Sequence, residues 1–355
     1  MAKKVLLAMS GGVDSAAAAI LLKRDGFDVT GVTFFFNGTD AEADDFLAYA
    51  DGSASAKARE VTSALSVPHL AIDKRSDFRA CVTERFVSDY ACGKTPNPCV
   101  ICNRRVKIRC LIELADELGC DLIATGHYAT PVTLENGRSS VKKALDTRKD
   151  QSYVLYMLTQ EMLSRLILPL GGLTKPEIRK LVTEEGFVGC GSAADSQDIC
   201  FIPDGDYAAY MERCGFVHRD GDFLDLNGNV IGRHRGFARY TRGQRKGLGV
   251  AFGHPVYVTD KDAEANTVTL ADEDALFGRE VSIENVNLTA IEAVDAPMRV
   301  TAKLRYTPHE AAATLLPDTN GRLRLVFDEP QRAATRGQHC VFYDGPLLLG
   351  GGEIL

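Results

Sequence analysis

The first twenty-six residues of this 355-residue chain constrain its fold more than anything after them. Val5-Leu6-Leu7-Ala8-Met9 reads as a short buried strand. The turn Ser10-Gly11-Gly12-Val13-Asp14-Ser15 follows, and Ala16 to Lys23 is an Ala/Leu-rich helix ended by Gly26. The pattern then recurs. Val29 to Phe36 is a second apolar strand, Lys57 to Leu65 a helix and His69 to Ile72 a third strand. Val100 to Leu118 has helical periodicity up to Gly119, and Asp121 to Ala124 is a further strand. Strands alternating with helices at this spacing predict a parallel sheet covered on both faces. Such sheets bind ligands at the carboxyl ends of their strands, where the motifs below fall.

The pattern changes after about residue 205. Asn227-Gly228 between Phe223-Leu224 and Val230-Ile231 predicts a hairpin. From about 280 alternation dominates, with Val300, Ala302, Leu304 and Tyr306 on one face and then Leu323, Leu325 and Phe327. Recurrent turns complete the signature of a small antiparallel barrel. The expected fold is therefore α/β: a Rossmann-like parallel-sheet domain over 1–205, a small central domain over 206–278 and a C-terminal antiparallel β-barrel over 279–355.

No apolar run is long enough to cross a membrane, and the first ten residues lack the features of a signal peptide; the expected location is cytoplasmic. Ten cysteines in such a chain are not a disulfide framework. Cys81, Cys92, Cys110, Cys120, Cys190, Cys214 and Cys340 read as small buried hydrophobes. The net charge of −7 argues mildly against nucleic acid, but charge is segregated. Residues 40–51 hold five acids and no base. Residues 233–246 hold Arg233, Arg235, Arg239, Arg242, Arg245 and Lys246 with no acid, a candidate phosphate-binding face.

Three segments carry chemistry. Ser10 to Ser15 sits between strand and helix, where glycines let backbone approach a phosphate and the helix N-terminus offers unpaired N–H groups. It has no Walker lysine. Asp14 in an anion site implies a held magnesium ion or an orienting role. Thr95-Pro96-Asn97-Pro98-Cys99-Val100-Ile101-Cys102-Asn103 puts two thiols near a helix start, where thiol pKa values fall. A structural zinc half-site wants a second pair, and a thioredoxin pair directly follows a strand. The third segment, Ser196-Gln197-Asp198-Ile199-Cys200-Phe201-Ile202-Pro203, means little alone.

With Ala124 to Tyr128, Lys149 to Tyr153, Tyr240 to Gly249, Val341 to Tyr343 and Gly350 to Gly352, these segments occur in an order that resembles the tRNA-specific 2-thiouridylase family. Its Gly-rich loop is that of the ATP pyrophosphatase (PP-loop) superfamily. The resemblance runs from residue 5 to the C-terminus and implies ATP-dependent 2-thiolation of the wobble uridine of tRNA, a tRNA-uridine 2-sulfurtransferase activity. Carried over by position, Ala8, Met9, Ser10, Gly11, Gly12, Val13, Asp14, Ser15, Phe34 and Gly126 contact ATP. Cys102 is the nucleophile and Cys200 bears the persulfide. Asn97, Pro98 and Cys99 lie beside the target base, and His127, Lys149, Asp150, Gln151, Arg305, Tyr306 and Gln338 contact tRNA. The implied cofactors are ATP and Mg²⁺, and the implied partners are tRNA and an upstream persulfide donor, a cysteine desulfurase or sulfur relay protein.

Two departures from the family pattern stand out. Cys99 occupies a position where many members carry Asp, and the acidic segment 40–51 is unlike the usual sequence. Cys99, Cys102 and Cys200 would suffice to hold a [4Fe–4S] cluster with one iron free to carry sulfide, a second route to the same product. A PP-loop synthetase with a small-molecule amine acceptor would need neither cysteine, and an adenylate-binding regulator would need only the loop.

Overall fold

The computed structural model describes residues 2–36, 54–187, 199–250 and 253–355. The acidic segment 40–51, Cys190 and Ser196-Gln197-Asp198 lie outside the described residues.

The first sheet is parallel. Its strands are β1 (Lys4–Ala8), β2 (Asp28–Phe35), β3 (His69–Asp73), β4 (Leu122–Ala124) and β7 (Leu166–Ile167), in the order β3-β2-β1-β4-β7. Side chains alternate across it as a period of two requires. Leu6, Val32 and Ile123 face one core with Val100, Ile108, Leu111 and Ala115 of the helix that follows the cysteine loop. Val5, Leu7 and Val29 face the other with Ala16, Ile20, Ile178 and Val182, from helices Val13–Arg24 and Lys175–Glu184. The sequence pattern finds every strand but β7, which is two residues long.

The central sheet runs β10 (Tyr257–Asp262), β11 (Thr267–Ala271), β8 (Gly221–Leu224), β9 (Val230–His234). The Asn227-Gly228 turn forms as predicted: the Asp225 carboxylate accepts N–H bonds from Asn227 and Asn229, each at 2.8 Å.

In the third sheet β12 (Phe277–Leu288), β15 (Leu323–Arg332), β14 (Ala311–Pro317), β13 (Met298–Lys303), β16 (His339–Asp344) and β17 (Leu347–Ile354) pair in that order, and β17 pairs back onto β12 to close a barrel. Val300, Ala302, Leu323, Leu325 and Phe327 fill it. The alternating run through Tyr306 is not one strand, however. Strand β13 stops at Lys303, and Tyr306 lies beyond it, 49% exposed. A hairpin of the N-terminal region, β5 (Ala129–Thr133) and β6 (Ser139–Lys143), extends the barrel sheet beside β17.

Cys110, Cys120 and Cys340 are buried as expected, and Cys81 is half-buried. Cys92 and Cys214 are exposed, contrary to expectation. Each ends a short surface helix, Glu84–Ala91 and Tyr207–Arg213, where the side chain has no core to enter.

Candidate active site

The Gly-rich turn leaves β1 and enters the helix at Val13. Gly11 has φ +72°, the left-handed region that a side chain disfavours. Gly12 is the N-cap and offers no capping side chain, so the first N–H groups of the helix stay open to an anion. Ser15 is 4% exposed and shapes the loop: its hydroxyl donates to the Gly12 carbonyl at 3.0 Å and accepts the Ser10 N–H at 3.2 Å. Its hydroxyl is therefore part of the loop's internal scaffold, whereas Ser10 is exposed.

Asp14 does not face the loop unaccompanied. The Lys175 ammonium lies 2.8 and 2.9 Å from its two oxygens, and the Tyr128 hydroxyl donates to Oδ1 at 2.5 Å. Lys175 opens its own helix, where the Asp146 carboxylate accepts its backbone N–H at 3.1 Å. Gly126 closes the group from the β4 side. A methyl there would stand 3.1 Å from the Asp14 carbonyl carbon, so close backbone approach favours glycine.

Beside this loop lies a cavity of about 390 Å³, within the range of roughly 300–1,000 Å³ usual for small-ligand sites. Ala8, Met9, Ser10, Asp14, Ser15, Phe34 and Gly126 line one part of it, and Cys102, Cys200, Lys107, His127 and Gln151 another. Anion-binding backbone, one neutralised carboxylate and two thiols thus share one space. The fit to a nucleoside triphosphate rests on the helix N-terminus, where the N-cap Gly12 supplies no side-chain acceptor for the first N–H groups. A larger cavity of about 530 Å³ lies between Gly93, Arg242 and Glu280 and touches neither thiol.

Asn97 is the N-cap of the cysteine helix and accepts the Cys99 N–H at 3.2 Å. Cys102 is the fifth residue of that helix, about a turn beyond its N-terminus, and is half-buried. Burial pushes its thiol up to about 11, against the opposing pull of the nearby Lys107 ammonium. The expected low thiol pKa is therefore not found in this arrangement, because desolvation outweighs the helix terminus. Cys99 is exposed as a residue, yet protein around its thiol also raises its pKa. Cys200 is exposed at the cavity. Among the described residues no three His, Cys, Asp or Glu side chains converge closely enough to hold a metal ion. The Cys200 thiol lies near enough to Cys99 and Cys102 to raise the pKa of both.

The expected tRNA contacts divide. Tyr306 is half-exposed near Cys99, its ring tilted on Tyr153 at 5.7 Å and its hydroxyl donating to the Asp150 carbonyl at 3.2 Å. Lys149 is half-buried. Asp150 is 6% exposed and accepts N–H bonds from Ala144 and Ser152 while facing the Lys303 ammonium at 3.4 Å. Its carboxylate is thus an interior group that ties Ala144 and Ser152 to Lys303. Arg305 donates to the Arg332 carbonyl at 2.7 Å, Gln338 to the Thr95 carbonyl at 2.8 Å, and Gln151 accepts the Tyr128 N–H at 2.9 Å. His127 is buried, its Nδ1 2.8 Å from the Thr125 hydroxyl, and burial with Lys107 nearby pushes it down to about 3, so it stays neutral. In the basic run, Arg239 pairs with Glu212 and Arg242 donates to the Thr259 carbonyl, whereas Arg245 and Lys246 are exposed. Sequence reasoning missed Lys107 and Lys175. The Thr174–Glu177 capping box signals a helix start, but nothing in it points at Asp14.

An α/β domain with an anion-binding loop and two thiols at one cavity, joined to two β domains, defines a nucleotide-activating enzyme class. Family models match its three parts: one described as tRNA methyl transferase HUP domain over residues 3–204, one as tRNA methyl transferase PRC-barrel domain over 212–272 and one as aminomethyltransferase beta-barrel domain over 278–354. The chain is 42% identical to the tRNA-specific 2-thiouridylase MnmA of Acetivibrio thermocellus, with 99% of each chain covered. It is 41% identical to that of Clostridioides difficile, over 100% of this chain and 98% of that one. It is 43% identical to that of Pelotomaculum thermopropionicum, over 99% and 97%. The chain belongs to the tRNA-specific 2-thiouridylase family. Among the described residues no helix is long and apolar enough to cross a membrane.

Proposed function

We propose that this chain, a tRNA-uridine 2-sulfurtransferase, adenylates the C2 oxygen of the wobble uridine and replaces it with sulfur from a persulfide on Cys200. The observation that carries this reading is the single cavity shared by the Gly-rich loop, Cys102 and Cys200. Oxide is a poor leaving group, and a phosphate ester of it is a good one. The C2 oxygen attacks the α-phosphorus of ATP, and pyrophosphate leaves towards the open N–H groups at Gly12 and Val13. A magnesium ion brought with the phosphates would meet Asp14, and it would supply further charge neutralisation.

The terminal sulfur of the Cys200 persulfide then attacks C2, and the C–O electron pair leaves with AMP. The Cys102 thiolate attacks Cys200 Sγ, so the sulfur stays on uridine and a Cys102–Cys200 disulfide forms. The two thiols are oxidised by two electrons and the sulfane sulfur is reduced by two. An external thiol reductant reopens the disulfide, and a persulfide donor reloads Cys200. In this division of labour residues 1–205 carry the chemistry, while 206–278 and 279–355 hold tRNA. Methyl transfer, named in two of the family-model descriptions, gives the paired thiols no work, and an amine-acceptor synthetase leaves them idle too.

The test uses protein loaded with labelled sulfur. Cys200→Ser and Cys102→Ser should each abolish tRNA thiolation while retaining tRNA-dependent pyrophosphate release. Cys99→Asp should retain substantial thiolation. Thiolation that survives Cys200→Ser, or that depends on bound iron and disappears with it in Cys99→Asp, would overturn the reading.

A further inference from the structure

The cysteine helix is irregular just after its nucleophile. Pro98–Cys102 is α-helical, Asn103–Lys107 is a π-turn, and Ile108–Glu117 is α-helical again. In a regular α-helix at 3.6 residues per turn, position i+5 sits roughly 140° round the axis from position i. A wider turn brings it back towards the same face. Here it brings Lys107 back beneath Cys102, and both line the cavity. The Lys107 backbone N–H also reaches the Cys102 thiol.

The charges around Lys107 are unbalanced. Among the described residues Asp14 is the only carboxylate lining the cavity, and Lys175 already neutralises it. Among the described residues no carboxylate forms a salt bridge with Lys107. Its charge acts on Cys99, Cys102 and His127, and His127 is neutral. A half-buried ammonium without a counter-ion, facing a ligand cavity, is suited to an anion that arrives with the substrate.

We propose that Lys107 is a catalytic residue that holds the α-phosphate of the adenylated uridine and takes up the charge of departing AMP. This rests on the adenylation and persulfide reading above. The chemistry fixes the location. In the adenylate, phosphorus is joined through one oxygen to C2, and C2 is the atom that sulfur attacks. The α-phosphate therefore lies at the thiol end of the cavity, where Lys107 is, while the β- and γ-phosphates lie at the Gly-rich loop. When sulfur bonds to C2, the C2–O bond breaks, its electron pair stays on the phosphate oxygen, and the added negative charge forms beside the ammonium.

Lys107→Gln and Lys107→Arg test this in the full chain, loaded with persulfide and assayed with tRNA and ATP. Fixed positive charge at a developing anion is worth on the order of 10²–10³ in rate. Lys107→Gln should lower kcat for thiolation and AMP formation about 100-fold, with KM for tRNA within about threefold and Cys200 loading unchanged. Lys107→Arg should recover at least tenfold of the loss. Thiolation within threefold of the parent in Lys107→Gln overturns the proposal. So does an Arg variant no better than Gln, or a loss explained by failure to load Cys200. If instead Cys200→Ser still thiolates, the underlying reading fails, and this result is independent of either Lys107 variant.

Discussion

The Asp14–Lys175–Tyr128 group offers the most quantitative test of how the loop is held. Replacing Lys175 with Met removes two charge-assisted bonds, at 2.8 and 2.9 Å, and leaves Asp14 with the Tyr128 hydroxyl alone. Breaking a fully buried pair costs roughly 3–5 kcal/mol, and losing an exposed one about 0–1 kcal/mol. Lys175 is 10% exposed and Asp14 35%, so the stranded carboxylate is partly solvated and the expected loss lies between these, about 2 kcal/mol. For a unit of this size that lowers Tm by roughly 4–8 °C. The same variant leaves an uncompensated negative charge beside the triphosphate, so KM for ATP should rise at least tenfold. Asp14→Asn in the Lys175→Met background removes the stranded charge and should recover part of the stability, a coupling of about 1–2 kcal/mol. Scanning calorimetry and pyrophosphate release give the two readouts. Additive stability losses in the double variant, or an unchanged Tm and an unchanged KM for ATP in Lys175→Met, would refute the argument.

Two further outcomes follow from the site. The Cys102 thiol, held up near 11, should be alkylated by iodoacetamide at a rate still rising through pH 10, as mass spectrometry of the Cys102 peptide would show; a plateau by pH 8 would mean the thiolate is already formed at neutral pH. Arg245→Gln with Lys246→Gln should weaken tRNA binding and flatten its log–log salt dependence by roughly one to two units without lowering Tm, whereas Arg242→Gln, which loses its bond to the Thr259 carbonyl, should lower Tm; unchanged affinity and slope in the double variant would remove these two from the binding face.

The parallel sheet is legible in the sequence because each strand is a short apolar run and several breaks carry a glycine or proline, as at Gly26, Pro68 and Gly119. The Gly-rich loop is legible for the same reason. What the pattern misses depends on distant contacts or on helix geometry. Strand β7 is too short to show a period. The β5–β6 hairpin is visible only once β17 is beside it. Leu304 and Tyr306 continue the alternation of β13, but their register partners stop at Lys303, so pattern alone overruns the strand. Asn103-Arg104-Arg105-Val106-Lys107 has no residue that marks a π-turn, so neither the place of Lys107 beneath Cys102 nor the reason for a high Cys102 pKa can be read in advance. The family resemblance named the two cysteines; the cations that serve the cavity came only from side-chain geometry.

That geometry also ties the C-terminal barrel to the cysteine loop of the N-terminal domain. The loop leading to Cys99 and Cys102 is pinned by the start of β16 and the end of β17. The Thr95 N–H donates to the Arg336 carbonyl at 2.8 Å, and Gln338 donates to the Thr95 carbonyl at 2.8 Å. Glu353, 3% exposed, binds Lys94 at 2.5 Å and Arg85 at 3.1 Å. Tyr153 and Tyr156, just beyond the Lys149–Gln151 run, bond to the carbonyl and ring of His339, each at 2.8 Å. A loop with two prolines and an Asn97 cap is stiff within itself, but its position is set where its ends are fastened. Here one end is fastened to the barrel and the other is the cysteine helix. Gln338 is thus part of the fastening that sets where the Cys102 helix begins.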